Sequence, residues 1–501
     1  MEKIKVKFIG DSLRNPVSVK VKRGTSVLDA AIKGGVEIDA PCGGKNRCGK
    51  CIVKVNSQRV LACSTKIFHD IIVEVESQTA RILKDLAISN FEVNHSFRIK
   101  NLDGSSVLMR DGEILGYTND LYGVSLDIGT TTLSGYLVDL KNGVLMDKKS
   151  ITNPQVSFGA DVISRISYAI KNGRHELTNF LLKGINQLIR ELCKNDVDPS
   201  SIYYSTVVGN SVMHHFLLGL DTKNLGFYPY KPLIKKGTEK KAKDIGISIN
   251  PSGYVYFLPL VNGHVGSDAL GMIIALEIHK SNETCLAIDL GTNGEIIIGN
   301  KKKILACSSA AGPAFEGTNI SSGMRATDGA IERVWKNFGY KTIGNKPARG
   351  ICGSGLIDAI AEMLKSGIIN RNGKLLKEFS IGGIRITQRD IREFQLAKAA
   401  IRTGIDILVN MLEPPKKIYI SGAFGNYIDR ENAIYLGLLP QSKHIFYAGN
   451  AAGLGAIKSM LSDSIKKEAE EIAEKIEYIE LSTQPEFESI FMKNIRFGEY
   501  A

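Results

Sequence analysis

Asp127-Ile128-Gly129-Thr130-Thr131-Thr132 and Asp289-Leu290-Gly291-Thr292-Asn293-Gly294 decide how this chain reads. Each follows an apolar run, Gly123 to Leu126 and Thr284 to Ile288, and each leads into another, Leu133 to Val138 and Glu295 to Ile298. Asp-x-Gly-Thr at the turn of a tight hairpin can hold a nucleotide. Its glycine lets the backbone approach a phosphate. Its threonine hydroxyls and N–H groups bond phosphate oxygens, and its Asp can take Mg2+ or the ion's water shell. One copy alone reads as an ordinary hairpin turn. Two copies in corresponding places form an internal repeat. They predict an α/β domain of two related lobes, at about 122–265 and 280–480, whose loops face each other across a cleft.

Upstream, Ile4, Val6 and Phe8 alternate with polar residues, as do Val17, Val19 and Val21, which predicts a hairpin turning between Gly10 and Pro16. Ser26 with Asp29 three residues on reads as a capping box, opening a helix that Gly34 and Gly35 close. Strands are expected at Ile52 to Val55 and Ile71 to Val75. Between helix and strands lies Cys42-x5-Cys48-x2-Cys51-x11-Cys63. Strand, strand, helix, cysteine loop, strand, strand is the order of a β-grasp ferredoxin. Gly43, Gly44 and Gly49 let the loop wrap closely, so that N–H groups can point at cluster sulfurs. A structural zinc site favours two separated C-x2-C pairs, and only one occurs here. A [4Fe–4S] cluster favours a C-x2-C-x2-C run, which is absent. The four cysteines are read as ligands of a [2Fe–2S] cluster, although the first gap is one residue longer than the plant-type spacing.

The expected domains are therefore a ferredoxin-like domain at 1–80, a linker at 81–121 with a little structure (Val107-Leu108-Met109, Ile114-Leu115), and a nucleotide-binding domain at 122–501. The net charge of +12 comes from scattered lysines, with a cluster at Lys235, Lys236, Lys240, Lys241 and Lys243 that reads as solvated surface. No basic run interleaves with aromatics as a nucleic-acid groove would. No apolar run approaches the ~18 residues of a membrane span, and Met1 to Val6 alternates as a strand rather than a signal core. A cytoplasmic location is expected. Cys193, Cys285, Cys307 and Cys352 are spread singly, and Cys307 and Cys352 are read as small buried apolar residues. His214 and His215 are adjacent and so do not share a helix face; they are expected at a polar surface or partner contact. Asn210, at a strand-to-helix turn, is a candidate nucleotide or partner contact.

The paired loops resemble those of the ASKHA superfamily (acetate and sugar kinases, chaperone ATPases, actin). The most specific stretches are Ala287 to Glu295 (AIDLGTNGE), Ser309 to Gly317 (SAAGPAFEG), Gly350 to Gly355 (GICGSG) and Ser421 to Asn426 (SGAFGN). With the cysteine domain in front, nearly the whole chain resembles the reductive activators of corrinoid-dependent enzymes. Longer members carry a further domain between cluster and ATPase, for which 81–121 leaves little room. The resemblance implies a two-lobed actin-like (ribonuclease H-like) ATPase domain that binds ATP and Mg2+. Gly129, Thr130, Thr131 and Thr132 would belong to its first phosphate motif, and Gly291, Thr292, Asn293 and Gly294 to its second. Asp127 and Asp289 would hold the ion, and Asp268 would orient the attacking water, with His264 a second candidate. Gly312, Gly353 and Gly355 are assigned to the nucleotide site, and Gly422, Ala423, Phe424 and Gly425 to the adenosine. Gly449 to Gly453 would open the second of two connecting helices, with small residues that permit close packing at a hinge.

The implied activity is ATP-dependent reduction of a corrinoid protein from cob(II)alamin to cob(I)alamin for methyl transfer. The implied partners are that corrinoid protein and a reduced donor such as ferredoxin or flavodoxin, and a homodimer fits by analogy. Three alternatives stand beside it. One is an ASKHA small-molecule kinase with a regulatory cluster. Another is an ATP-driven activator of a different low-potential enzyme, like those of 2-hydroxyacyl-CoA dehydratases, which carry a [4Fe–4S] cluster between two subunits. The third is a redox-sensing binding module without ATP hydrolysis.

Overall fold

Alternation at the start of the chain buries Ile4, Val6 and Phe8 on one face of the strand Lys3–Ile9. The computed structural model describes residues 3–10, 16–36, 38, 40, 44, 46, 51–75, 92–102, 104–193, 197–422 and 427–498. Lys3–Ile9 pairs antiparallel with Val17–Lys22 and parallel with Ile71–Glu74. Ile52–Val55 joins Ile71–Glu74 antiparallel and forms a hairpin with Gln58–Leu61, a strand the sequence reading did not assign. Part of the turn expected between Gly10 and Pro16 lies outside the described residues. The helix Val27–Gly34 lies on the sheet. Ser26 Oγ accepts the Asp29 N–H at 3.0 Å at its start, and Gly35 ends it in the left-handed region at φ 66°. This is a β-grasp domain with its own apolar core.

The stretch read as a linker carries more than a little structure. Phe97–Leu102, Ser105–Arg110 and Glu113–Tyr117 form a three-stranded antiparallel sheet. Its period is hidden because a register shift between Leu108 and Met109 leaves Leu115 of the third strand without a cross-strand partner, and because neighbouring Val107 and Leu108 are both buried. Phe97, Leu108 and Leu115 pack into the same core as Tyr204 and Tyr256 of the first lobe.

The two lobes repeat one topology. In the first, the hairpin Tyr122–Ile128 and Thr132–Asp139 continues antiparallel into Val144–Thr152. On the other side of Tyr122–Ile128, Ile202–Gly209 and then Tyr254–Phe257 add in parallel. In the second, Cys285–Leu290, Gly294–Gly299 and Ile304–Ser309 form the antiparallel half. Lys417–Ser421 and Ile445–Gly449 add in parallel on the far side of Cys285–Leu290. Both phosphate loops thus stand at the same turn of the same sheet.

Two helices cross between the lobes, Ser267–Leu276 and Ala451–Leu461. A Cβ on Gly455 would fall 1.9 Å from Gly271 O, and one on Gly271 would fall 2.7 Å from Ala452 O. The small residues expected at this hinge therefore set how closely the helices approach. The expectation for the histidine pair is corrected: His214 and His215 are both buried. His214 stacks edge-on against Phe257 at 5.0 Å, and His215 Nε2 accepts the Leu233 N–H at 3.0 Å. The helix Ser211–Leu217 is buried all round, so adjacent positions can both face protein. Cys307 and Cys352 are buried, as expected, and so are Cys193 and Cys285. Among the described residues no helix is long and apolar enough to cross a membrane.

Candidate nucleotide site and cysteine loop

The two hairpin turns meet over a cleft of about 290 Å3. Asp127, Gly129, Thr130, Thr131 and Thr132 line it from the first lobe, and Asp289, Gly291, Thr292 and Asn293 from the second. Asp268, Gly353 and Gly422 also reach it. Gly422 is in the left-handed region at φ 102°, and a Cβ there would stand 2.6 Å from Asp289 Oδ1. Ala423, Phe424 and Gly425 lie outside the described residues. Gly294, Gly312 and Gly355 do not line the cleft. Gly355 instead sits in the helix Gly353–Lys365, where a Cβ would come 2.2 Å from Ile331 O. His264 does not line it either; its ring packs edge-on to Tyr230 at 4.2 Å.

Asp268 is the second residue of its helix, not its cap, and its Oδ1 accepts the Ala269 N–H at 2.8 Å. Ser267 Oγ bonds the Gly209 backbone instead. Asn210 caps the helix Ser211–Leu217 through the Met213 N–H and donates Nδ2 to Thr130 Oγ1 at 2.9 Å, so it braces the first loop.

Acidic groups crowd the cleft floor. Burial, with Asp289 and Asp268 nearby, pushes the Asp127 carboxyl up to about 8. Burial and Asp268 push Asp289 up to about 7. Asp268 and Glu295 shift upward too, again first through burial. Carboxylates this close in a low dielectric call for protons or a cation. Among the described residues no three His, Cys, Asp or Glu side chains are arranged to hold a metal by themselves. Asp127 and Asp289 line the cleft, and carboxylates are donors that Mg2+ takes together with waters and phosphate oxygens.

Glu316, Asn450, Glu295 and Arg325 are among the cleft residues to which the sequence reading gave no role. Glu316 Oε2 accepts from Thr131 Oγ1 and from Thr292 Oγ1, both at 2.8 Å. Asn450 donates Nδ2 to Asp127 Oδ2 at 2.6 Å while its Oδ1 accepts the Gly453 N–H at 2.7 Å. Glu295 follows the second loop directly. Arg325 lines the cleft and donates to Thr152 Oγ1 at 2.6 Å. Glu316 lay inside a quoted motif, but nothing in the one-dimensional pattern places it between two threonines so far apart in the chain.

In the cysteine loop, Cys42 and Cys48 lie outside the described residues. Cys51 is buried in the β-grasp core, and the Cys63 N–H donates to Cys51 Sγ at 3.4 Å. An amide N–H on a cysteine sulfur is what a cluster ligand receives. Gly44 at φ 77° and Asn46 at φ 51° give the loop the left-handed backbone that close wrapping requires. The described residues fit an iron–sulfur ligand set.

Three family models match in sequence. The 2Fe-2S iron-sulfur cluster binding domain covers residues 12–76, the RACo middle region 122–281, and the C-terminal domain of RACo, the ASKHA domain, 283–500. The corrinoid activation enzyme RamQ of Eubacterium limosum is 32% identical, across 96% of this chain and 98% of its own length. The chain belongs to the family of reductive activators of corrinoid-dependent enzymes. Another relative, the [Co(II) methylated amine-specific corrinoid protein] reductase of Methanosarcina barkeri, is 27% identical over 75% of this chain and 77% of its own. A solved structure of a reductive activator for corrinoid, iron-sulfur protein superposes with a TM-score of 0.76 at 31% identity. It covers 99% of this chain and 98% of that one. In this chain a 2Fe-2S domain and an ASKHA domain share one polypeptide.

Proposed function

We propose that this activator uses ATP to drive the reduction of a partner protein's corrinoid from cob(II)alamin to cob(I)alamin, and that it acts in the cytoplasm. The observation that carries the reading is the pair of Asp-x-Gly-Thr loops facing one another in a single cleft, in a chain that also holds the cysteine domain. Relatives named for corrinoid activation and for Co(II) corrinoid protein reduction support the choice of acceptor.

When bound, the [2Fe–2S] cluster supplies a one-electron carrier at about −400 mV, as in plant-type ferredoxins. Cys42, Cys48, Cys51 and Cys63 would hold it. That potential is insufficient for the cob(I)alamin state, so the activator must also change the acceptor, by binding the partner and altering cobalt ligation. Thr130, Thr131, Thr132, Thr292 and the loop N–H groups would take the phosphates. Asp127 and Asp289 would hold Mg2+ or its waters. Asp268 would orient the attacking water. Hydrolysis then lets the lobes reopen about the crossing helices and releases the partner. By linkage, the complex must bind the two cobalt states with different affinity.

The test incubates reduced holoprotein with a cob(II)alamin protein, with and without Mg-ATP. The cob(I)alamin absorbance should grow only with ATP. Equal growth without ATP removes the coupling, and no growth in either arm removes the activity.

A further inference from the structure

The first phosphate loop and the cysteine domain are both seated on one short element, the 3-10 turn Pro154–Phe158. At the nucleotide end, the Asn153 N–H donates to Thr131 O and Asn153 Nδ2 donates to Gly129 O, each at 2.8 Å. Arg165 Nη2 donates to Thr130 O at 2.6 Å, and its Nη1 donates to Gln155 Oε1 at 3.1 Å. All three carbonyls of Gly129–Thr131 thus hang on this turn and the arginine behind it. At the other end, Ser157 Oγ donates to Ile38 O at 2.6 Å and accepts the Ile38 N–H at 3.1 Å. Ile38 stands four residues before Cys42.

We propose that the turn Pro154–Phe158 carries the nucleotide state from the first phosphate loop to the cysteine loop, with Ser157 as the positioning residue. This rests on the ATP-driven reading above and names how the two halves of that machine are joined. The turn is stiff for identifiable reasons. Asn153 Oδ1 caps it through the Gln155 N–H at 3.0 Å, and Gln155 Nε2 donates to Leu177 O at 2.9 Å. Phe158 is wedged edge-on between Tyr168 at 4.7 Å and Phe180 at 5.0 Å. Asn153, Gln155, Ser157 and Arg165 are each at most 1% exposed. A buried network with its polar groups committed moves as a unit, because breaking any one bond strands a desolvated group. A phosphate that draws in the Gly129–Thr131 backbone therefore displaces the turn, and the two bonds of Ser157 pass that displacement to Ile38. A second contact keeps the domains in register: Gly35 lies against Lys183, so close that a Cβ would stand 2.2 Å from Nζ.

The test is amide hydrogen exchange on full-length holoprotein, with and without a Mg-bound non-hydrolysable ATP analogue, for the parent and Ser157→Ala. In the parent, nucleotide should change exchange both at 127–132 and in the peptide around Ile38. In Ser157→Ala the response at 127–132 should persist while the response around Ile38 falls about fivefold or more. A merely structural tie would speed exchange around Ile38 equally in both states and leave the nucleotide response intact; that result overturns the proposal. So does a parent that responds at 127–132 but not around Ile38. A parent silent at both places overturns the ATP reading itself. The near-isosteric Ser157→Cys, whose thiol is a weak donor and acceptor, gives the same comparison should the alanine variant fail to fold.

Discussion

Thr131 Oγ1 and Thr292 Oγ1, one from each phosphate loop, stand 2.9 Å apart across the cleft. Each is also 2.8 Å from Glu316 Oε2. Both threonines donate to Glu316, whose carboxyl burial pushes upward against the pull of the two hydroxyls, Arg325 and Arg165. The lobes are thereby clasped through the very hydroxyls a terminal phosphate would use.

Removing the clasp should help nucleotide binding. In Glu316→Ala the threonine hydroxyls are free for phosphate, and a buried acid no longer faces it. Two hydrogen bonds at ~1 kcal/mol each are no longer lost on entry. ATP affinity, measured by calorimetry, should rise about thirtyfold. Unchanged or weaker affinity would show that Glu316 does not compete with the phosphate.

Stability without nucleotide should fall as pH rises. Asp127 and Asp289 titrate at about 8 and 7 in the fold, against an ordinary value of 3.8. Above pH ~4 the unfolded chain has released protons that the fold still holds, so the unfolded state binds fewer protons and stability drops with pH. The drop levels off only once the folded values are passed. Melting followed by calorimetry from pH 5 to pH 8.5 should show a falling Tm for the ASKHA domain. Asp127→Asn should flatten that slope and stabilise the protein by about 2–4 kcal/mol at pH 8. A parent Tm that climbs over this range contradicts the burial argument.

Much of this was legible in the chain. The hairpins survive as expected because alternation and apolar runs flank each Asp-x-Gly-Thr, and the repeat betrays the second lobe. Ser26 and Gly35 bound their helix through local chemistry alone. The strands at 97–117 were legible only at Val107 to Met109 and Ile114–Leu115, since a register shift that leaves Leu115 without a cross-strand partner breaks the period. His214 and His215 misled because adjacency excludes a shared helix face but says nothing about a helix buried on all sides. Glu316 and Asn450 were illegible for a different reason. Their partners, Thr131 and Asp127, are supplied by the other half of the repeat, and only the closed cleft brings them together.

Asn450 serves two structures at once. Its Oδ1 caps the helix Ala451–Leu461 and its Nδ2 reaches Asp127 at 2.6 Å. Asn450→Ala should cost ~1 kcal/mol for the cap and further stability for the lost Asp127 bond. Asn450→Asp keeps the cap but sets a carboxylate against Asp127. Chemical denaturation should therefore rank parent above both variants, with the Asp variant recovering at low pH, where the pair can share protons. An Asp variant that is pH-insensitive would mean the two side chains do not face each other in solution.

The last prediction separates the two halves of the chain. Cys63 sits in the β-grasp domain, with its N–H on Cys51 Sγ. Cys63→Ser replaces a soft thiolate with a hydroxyl that binds iron poorly at neutral pH. After anaerobic reconstitution the variant should be colourless, or bleach within minutes, and lack the rhombic EPR signal of a reduced [2Fe–2S] centre. Its ATP binding should persist, because the β-grasp core and the cleft pack separately, and any shift in affinity on cluster loss reads the coupling through Ser157 from its other end. It should also fail to generate cob(I)alamin absorbance with ATP present. A variant that keeps the full visible spectrum would remove Cys63 from the ligand set. One that loses the cluster yet still reduces the corrinoid would mean that the electron reaches cobalt by a route outside this domain.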